Sequence, residues 1–162
     1  MSTAVDGRRF RDVLGRFASG VTIVTASTGD GPVGFTCQSF TALSLDPPMV
    51  ALVPSKQSTS WPRIAAAGSF CVNILCEDQE ELGRAFAVSG AKRADKFSGY
   101  PWHRGPSGAP VLDGVLAWVD CELAMVHDAG DHEIVLGRVI ELGVGTGEPL
   151  LFYRGTYGRL AR

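Results

Sequence analysis

Residues 21–39, VTIVTASTGDGPVGFTCQS, decide the fold of this 162-residue chain. The first part, Val21–Ala26, is rich in β-branched residues and predicts a strand. Ser27–Pro32 contains the tripeptide GDG, a signal for a tight turn, and Val33–Ser39 predicts the returning strand. Strands joined by a tight turn run antiparallel, so this stretch predicts a hairpin in an antiparallel sheet.

A helix is predicted before this hairpin. Five apolar residues recur at helical spacing and form one stripe of an amphipathic helix, which we expect to end at Gly20. These five residues are Phe10, Val13, Leu14, Phe17 and Ala18.

A second helix is predicted after the hairpin and a short buried strand at 49–53. It begins near Ser60, has Pro62 in its first turn, and ends at Gly68. Ser69–Leu75 predicts the next strand.

A third helix follows, in which Asp78 and Glu81 have the spacing of a capping box. Leu82 and Phe86 are expected to face inward. Residues 88–110 contain several glycines and prolines and are expected to form a loop.

Strands dominate the second half of the chain. In Val115–Met125 the apolar residues occupy alternate positions, which places Asp120 and Glu122 on the opposite face. Ile134–Leu142 has a similar alternation, and residues 128–131 predict the turn between the two strands. Residues 150–153 and 157–160 are expected to close the sheet.

The fold class is therefore mainly β with peripheral helices, an antiparallel barrel in one domain over residues 1–162. Strands follow strands through tight turns, which argues against a doubly wound sheet.

Composition excludes several partners. The net charge is −2 with no basic patch, so neither a nucleic acid nor an anionic membrane is expected as partner. The apolar stretches are strand-sized and the N-terminus has no apolar signal region, which predicts a cytoplasmic protein. Four cysteines without a CxxC pair predict four reduced thiols.

Several chemistries lack their sequence signatures. The chain has no GxGxxG after a strand, no phosphate-binding GxxxxGK[ST] and no GxSxG. Its histidines, His103, His127 and His132, are not at metal-ligand spacing, so no metal site is expected.

A polar stretch, SKQSTS at 55–60, runs into the predicted second helix. Hydroxyls and free N–H groups at a helix start can bind an anion, and Lys56 adds a positive charge. Ordinary capping and turn chemistry is the alternative interpretation of this stretch taken alone.

Seven segments, in this order along the chain, resemble the short-chain flavin reductases. These are the reductase components of two-component flavin-dependent monooxygenases and adopt the flavin-binding (FMN-binding) split-barrel fold. The segments are FRDVLGRFASGVTIVTA (10–26), GFTCQSFTALSLDPPMVAL (34–52), Ser55 with Ser58, FCVNIL (70–75), DKFSG (95–99), GDHEIVLGRV (130–139) and YRGTYGRL (153–160).

The resemblance implies an NAD(P)H:flavin oxidoreductase that reduces FAD or FMN with NADH or NADPH and supplies a partner monooxygenase. Hydride transfer would rest on positioning, without a catalytic acid or base. In this family the pocket is commonly built by two subunits, which implies a homodimer.

The resemblance also implies roles for individual residues. The flavin ring and ribityl chain would be lined by Gly34, Phe35, Thr36, Cys37, Gln38 and Ser39, with Ser44 nearby and with Leu52, Val53 and Ser55 from the next strand. Ser58 and Ser60 would contact the phosphate. Lys96 and Phe97 would close over the phosphate or adenylate end, His132 would meet the nicotinamide nucleotide, and Tyr157 would flank it. Cys37 is expected to contribute backbone contacts only.

Other interpretations stay open at this point. His132 alone is typical of a turn, Lys96 of a solvated surface and Tyr157 of a half-buried strand. The rival functions are a flavin carrier or sensor on the same barrel, an oxidase of a pyridoxal-type substrate on a related barrel, and an interaction module without a ligand.

Overall fold

The computed structural model describes residues 4–88 and 95–162. Within these residues, three short helices accompany twelve strands, which agrees with the predicted mainly β class. The helices are α1 (Gly7–Leu14), α2 (Trp61–Ala67) and α3 (Glu80–Ala87). The strands are β1 (Ser19–Gly20), β2 (Thr22–Thr28), β3 (Gly31–Cys37), β4 (Phe40–Leu45), β5 (Pro48–Leu52), β6 (Ser69–Ile74), β7 (Trp102–Arg104), β8 (Pro110–Leu112), β9 (Ala117–Ala129), β10 (His132–Val144), β11 (Leu151–Tyr153) and β12 (Thr156–Gly158).

One seven-stranded antiparallel sheet carries the fold, in the order β3-β2-β6-β9-β10-β5-β4. The predicted hairpin is its β2–β3 pair, and Gly31 has a φ of 110° at the turn, which only glycine adopts easily. The predicted turn near 128–131 joins β9 to β10, with His132 opposite Ala129.

Apolar side chains pack on both faces of this sheet. Neighbouring residues of β2 point to opposite sides, so Val24 joins a core with Phe70 and Ile64 of α2, while Ile23 joins a second core with Phe86 of α3. The helices α2 and α3 thus lie on opposite faces of the sheet and help to bury it.

The first helix differs from its prediction. It begins after Asp6, whose side chain accepts a 2.8 Å hydrogen bond from the backbone N–H of Arg9, and it ends at Leu14. Gly20 lies in β1 instead of ending the helix, because Ser19 and Gly20 pair with β11. The apolar stripe is exposed: Phe17 has 83% of its surface accessible, and Phe10, Val13 and Leu14 each have more than half.

The second helix agrees with its prediction and the third agrees in part. α2 follows Ser60 and ends at Gly68, which is left-handed with a φ of 78°. In α3 the predicted capping box is wrong, because Gln79 occupies the N-cap without a side-chain capping bond. The Gln79 side chain instead accepts from the N–H of Cys76 and donates to the carbonyl of Asp113. Leu82 and Phe86 of α3 are buried as predicted.

One prediction about the second half is also wrong. The last strands, β11 and β12, form a separate three-stranded sheet with β1 and do not close the large one. Asp120, on the opposite face of β9 from the apolar residues, is fully buried because the β7–β8 segment covers it. Its carboxylate accepts hydrogen bonds of 2.6 Å and 2.7 Å from the N–H and hydroxyl of Ser107, which compensate its burial.

The predicted loop 88–110 contains strand β7 and the start of β8, and its residues 89–94 lie outside the described part of the chain. All four cysteines are buried and free. Among residues 4–88 and 95–162, no helix combines the length and apolar character needed to cross a membrane.

Candidate flavin site

The end of β3 lies between two clefts. Phe35 and Thr36 line one cleft, and Gln38 and Ser39, which follow the strand, line the other. The larger cleft has a volume of about 620 Å³ and is mostly apolar. Its lining residues are Phe17, Ser19, Gly20, Thr22, Gln38, Ser39, Phe40, Thr41, Ala51, Val53 and Ile74. The smaller cleft has a volume of about 220 Å³ and is lined by Phe35, Thr36, Gln57, Ser58, Thr59, Ser60, Phe86, Ala87, Val88 and Lys96.

The small cleft brings together residues that the sequence predicted for a phosphate. The Oγ of Ser58 accepts a 3.1 Å hydrogen bond from the backbone N–H of Trp61, which holds this serine at the start of α2. The hydroxyl of Thr36 donates a 2.6 Å hydrogen bond to the carbonyl of Gly83 and fixes β3 against α3. The cleft wall is therefore rigid and carries several hydroxyl groups.

Lys96 supplies a positive charge to the same cleft. It is only 9% exposed, and its Nζ donates hydrogen bonds of 3.2 Å to the carbonyl of Gly34 and 3.1 Å to that of Phe86. The interpretation of Lys96 as a solvated surface lysine is therefore wrong. A buried ammonium group held on backbone carbonyls attracts an anion more strongly than an exposed one.

The predicted residues Gln38, Ser39 and Val53 line the large cleft. Ser39 joins the segment that follows β3 to the segment that follows β5. Its Oγ donates to the carbonyl of Val53 at 2.9 Å and accepts from the N–H of Val53 at 3.2 Å. Cys37 points into the protein, 3.3 Å from the Oγ of Ser39, and burial raises the pKa of its thiol. Its side chain is therefore a protonated, packed group, which leaves its backbone as the part available to a ligand.

His132 lies at the start of β10, where Ser55 forms an antiparallel bridge with it. The backbone N–H of Lys56 donates a 3.0 Å hydrogen bond to the carbonyl of Asp131 in the same bridge. The Nδ1 of His132 lies 2.7 Å from the carboxylate of Asp131, and this hydrogen bond lowers the pKa of that carboxyl. The structure thus joins the predicted nicotinamide residue to the polar stretch 55–60.

Other predicted residues lie away from the clefts. The side chain of Leu52 is fully buried, and that of Phe97 packs edge-on against Phe86 and Trp102, so the structure places both side chains in the core. Ser44 lies on β4 opposite Met49.

Tyr157 is a half-buried strand residue. Its ring packs against Phe152, and the guanidinium carbon of Arg84 lies 4.8 Å from the ring centroid. These contacts place Tyr157 beside α3, on β12 of the small sheet.

Several lining residues were not predicted for the site. Gln57 and Thr59 belong to the polar stretch that the sequence singled out, so their neighbours were the available signal. Phe17, Phe40 and Phe86 gave no such signal, because an apolar residue in a periodic pattern indicates a core position.

A model of the flavin reductase like domain family matches residues 14–161 of this chain. The reductase subunit HsaB of a flavin-dependent monooxygenase from Mycobacterium tuberculosis is 49% identical over 160 residues, which cover 97% of this chain and 84% of that protein. The crystal structure of a nitrilotriacetate monooxygenase component B homologue from Mycobacterium thermoresistibile has a TM-score of 0.91 and 48% identity, covering 99% of this chain and 89% of that one.

A second solved structure shows a relative with both kinds of ligand. The NADH:FAD oxidoreductase SgcE6 of Streptomyces globisporus, in complex with NAD and FAD fragments, has a TM-score of 0.89 and 35% identity, covering 99% of this chain and 98% of that one. These likenesses confirm the predicted split-barrel fold and the predicted class, an NAD(P)H-dependent flavin reductase. The chain belongs to the flavin reductase like domain family.

Proposed function

We propose that this chain oxidises NADH or NADPH, reduces FAD or FMN, and supplies the reduced flavin to a flavin-dependent monooxygenase. The observation that carries this proposal is the bridge between Ser55 and His132. It joins the stretch 55–60, whose residues 57–60 line the small cleft, to the histidine predicted for the second ligand, as transfer between two bound cofactors requires.

The small cleft suits the flavin phosphate. Ser58, Ser60 and Lys96 lie there together with Gln57 and Thr59, and hydroxyls with a buried ammonium group form strong hydrogen bonds to an anion. From this cleft the backbone of Thr36–Ser39 leads to the large apolar cleft, which suits the flavin ring. Gly34 and Phe35 support the same strand end.

His132 and Asp131 are proposed to hold the nicotinamide nucleotide. The carboxylate of Asp131 accepts from the Nδ1 of the imidazole and orients its ring, which leaves the other ring nitrogen for the nucleotide. A flavin held in the clefts would supply the acceptor for the hydride of NADH or NADPH. The protein contributes alignment and the exclusion of water, and no side chain of the site needs to exchange a proton in that step.

A homodimer is part of the proposal. Large apolar side chains are exposed on α1, just after α1, on β4 and on β10, and β4 and β10 are separated in the sheet by β5 alone. They are Phe10, Val13, Leu14, Phe17, Leu43, Leu45, Ile140, Leu142 and Val144. Monomeric proteins rarely expose so much apolar surface, and Phe17 borders the large cleft, so a second subunit would also complete the site. Sedimentation of the purified protein should give a mass of two chains.

We further propose that the chain acts as a single domain in the cytoplasm. The four free thiols support a reducing compartment.

The direct test is an activity matrix of NADH and NADPH against FAD, FMN and riboflavin. We expect rapid oxidation of at least one nucleotide that depends on added flavin. Absence of flavin-dependent turnover in every combination would end the proposal. If flavin binds but stays oxidised with excess NADH and NADPH without oxygen, the chain is a carrier instead of a reductase.

A further inference from the structure

The tip of the β9–β10 hairpin is bonded to residues 54–56, where the polar stretch 55–60 begins. The N–H of Glu133 donates to the carbonyl of Pro54, and the N–H of Lys56 donates to the carbonyl of Asp131, both at 3.0 Å. Side chains add an ion pair between Lys56 and Asp128. The hairpin tip and the polar stretch therefore form one hydrogen-bonded unit.

Trp61 is the residue that connects both proposed ligand sites. Its backbone N–H donates to the Oγ of Ser58 at 3.1 Å, and its indole Nε1–H donates to the carboxylate of Glu133 at 2.6 Å. Trp61 is 3% exposed, and its ring meets Phe70 edge-on at 6.4 Å. One rigid side chain thus contacts a proposed phosphate ligand and the residue next to His132.

The hydrogen bond from Trp61 to Glu133 is less exposed to solvent than the ion pair between Lys56 and Asp128. The Lys56 and Asp128 side chains are 41% and 82% exposed, and such exposed ion pairs contribute little. The bond from Trp61 to Glu133 has an ionised acceptor and a donor withdrawn from solvent, which strengthens it and fixes its direction. The other charged groups at the tip form pairs on the surface: Lys56 with Asp128, and Asp131 with His132.

We propose that Trp61 and Glu133 are a positioning pair that couples binding of flavin to binding of the nicotinamide nucleotide. This inference rests on the proposed function. A flavin phosphate on Ser58 holds the start of α2, which holds Trp61; Trp61 holds Glu133, and Glu133 keeps His132 in place for the nucleotide. Because coupling between two sites is reciprocal, each ligand then raises the affinity for the other.

The test measures this coupling directly. The Kd of FAD is determined by flavin fluorescence without nucleotide and with saturating NAD⁺, which does not reduce oxidised flavin. In the natural chain we expect NAD⁺ to tighten FAD binding at least about fivefold, the lower range of typical coupling. In Glu133→Ala the two Kd values should become equal within about twofold, and the KM of NADH should rise while kcat changes little.

Two further variants separate the hydrogen bond from simple stability. Glu133→Gln keeps an acceptor oxygen for the indole and should keep most of the coupling. Glu122→Ala breaks the exposed pair with Arg138 on the same two strands, away from the tip, and should leave the coupling unchanged. If Glu133→Ala does not fold, Trp61→Phe keeps a packed ring, removes the donor and should show the same loss.

Different results would overturn the proposed function and the proposed coupling. A natural chain without flavin-dependent oxidation of either nucleotide overturns the proposed function itself. An active natural chain in which NAD⁺ does not alter the Kd of FAD overturns the coupling. So does a folded Glu133→Ala or Trp61→Phe protein with the coupling of the natural chain.

Discussion

The hydroxyl of Thr36 donates a 2.6 Å hydrogen bond to the carbonyl of Gly83, which ties the end of β3 to α3 beside the small cleft. The two elements also touch through packing, since a Cβ added to Gly34 would lie 3.0 Å from the ring of Phe86. This close approach holds the backbone of the predicted flavin strand in one position.

Replacing Thr36 by Val should therefore weaken both the fold and the site. The change keeps the side-chain shape but removes the donor and leaves the carbonyl of Gly83 without it, so we expect a loss of about 1–2 kcal/mol in the free energy of unfolding. Flavin binding should weaken several-fold. Urea unfolding and fluorescence titration measure the two effects, and Thr36→Ser, which keeps the hydroxyl, should restore both. If flavin affinity is unchanged in Thr36→Val, the hydrogen bond from Thr36 to Gly83 does not support flavin binding.

Ser58 should distinguish flavins by their phosphate. Ser58→Ala removes a hydroxyl proposed to contact the phosphate, so FMN should bind roughly tenfold more weakly, while riboflavin, which has no phosphate, should bind as before. Loss of the bond from Trp61 should also cost about 1 kcal/mol of stability. Titration of the variant with both ligands makes riboflavin an internal control for folding. Equal weakening of FMN and riboflavin would show that Ser58 supports the structure only.

His132 should affect the nucleotide more than the flavin. In His132→Ala we expect the KM of NADH or NADPH to rise roughly tenfold, about 1.4 kcal/mol, with the Kd of flavin nearly unchanged. His127→Ala is the matched control, because this exposed histidine lies on the partner strand of the same hairpin, opposite Ile134. A nucleotide KM that stays the same in His132→Ala would remove this residue from the site.

Cys121 should make stability depend on alkaline pH. Burial, and secondarily the neighbouring carboxylate of Asp120, raises the pKa of the Cys121 thiol from 9.0 to about 12. Between these values the unfolded chain loses this proton and the folded chain keeps it, so the thiol's contribution is complete below pH 9 and is lost as the pH rises toward 12. Relative to Cys121→Ala, the natural chain should lose about 1.4 kcal/mol of unfolding free energy per pH unit above 9.

Urea unfolding of both proteins between pH 8 and pH 10.5 checks this difference. Burial is the main reason why the pKa of Cys71 is also raised, so Cys71 and the other groups that titrate in this range contribute nearly equally to the two proteins. Parallel pH dependences of the two unfolding free energies would contradict the raised pKa.

Local sequence pattern determined the elements whose signals are local. The hairpin of β2 and β3 was predictable because β-branched strands flank a GDG turn, and α2 was predictable because proline and glycine mark its ends. The stretch 55–60 was found in the same way, since six polar residues before a helix are visible in the sequence. The ordered set of segments identified the family.

Only the tertiary structure decided which of these elements and residues come into contact. Residues far apart in the chain determine the exposure of Phe17, the burial of Asp120 and the bond from Trp61 to Glu133. Periodicity records only whether a side chain is apolar and which face of its own element it occupies. An apolar stripe predicts the same helix whether it packs on the core of its own chain or faces outward. Long-range pairing also brought Ser55 to His132, because two strand ends become neighbours when the sheet forms, and no local pattern encodes that contact.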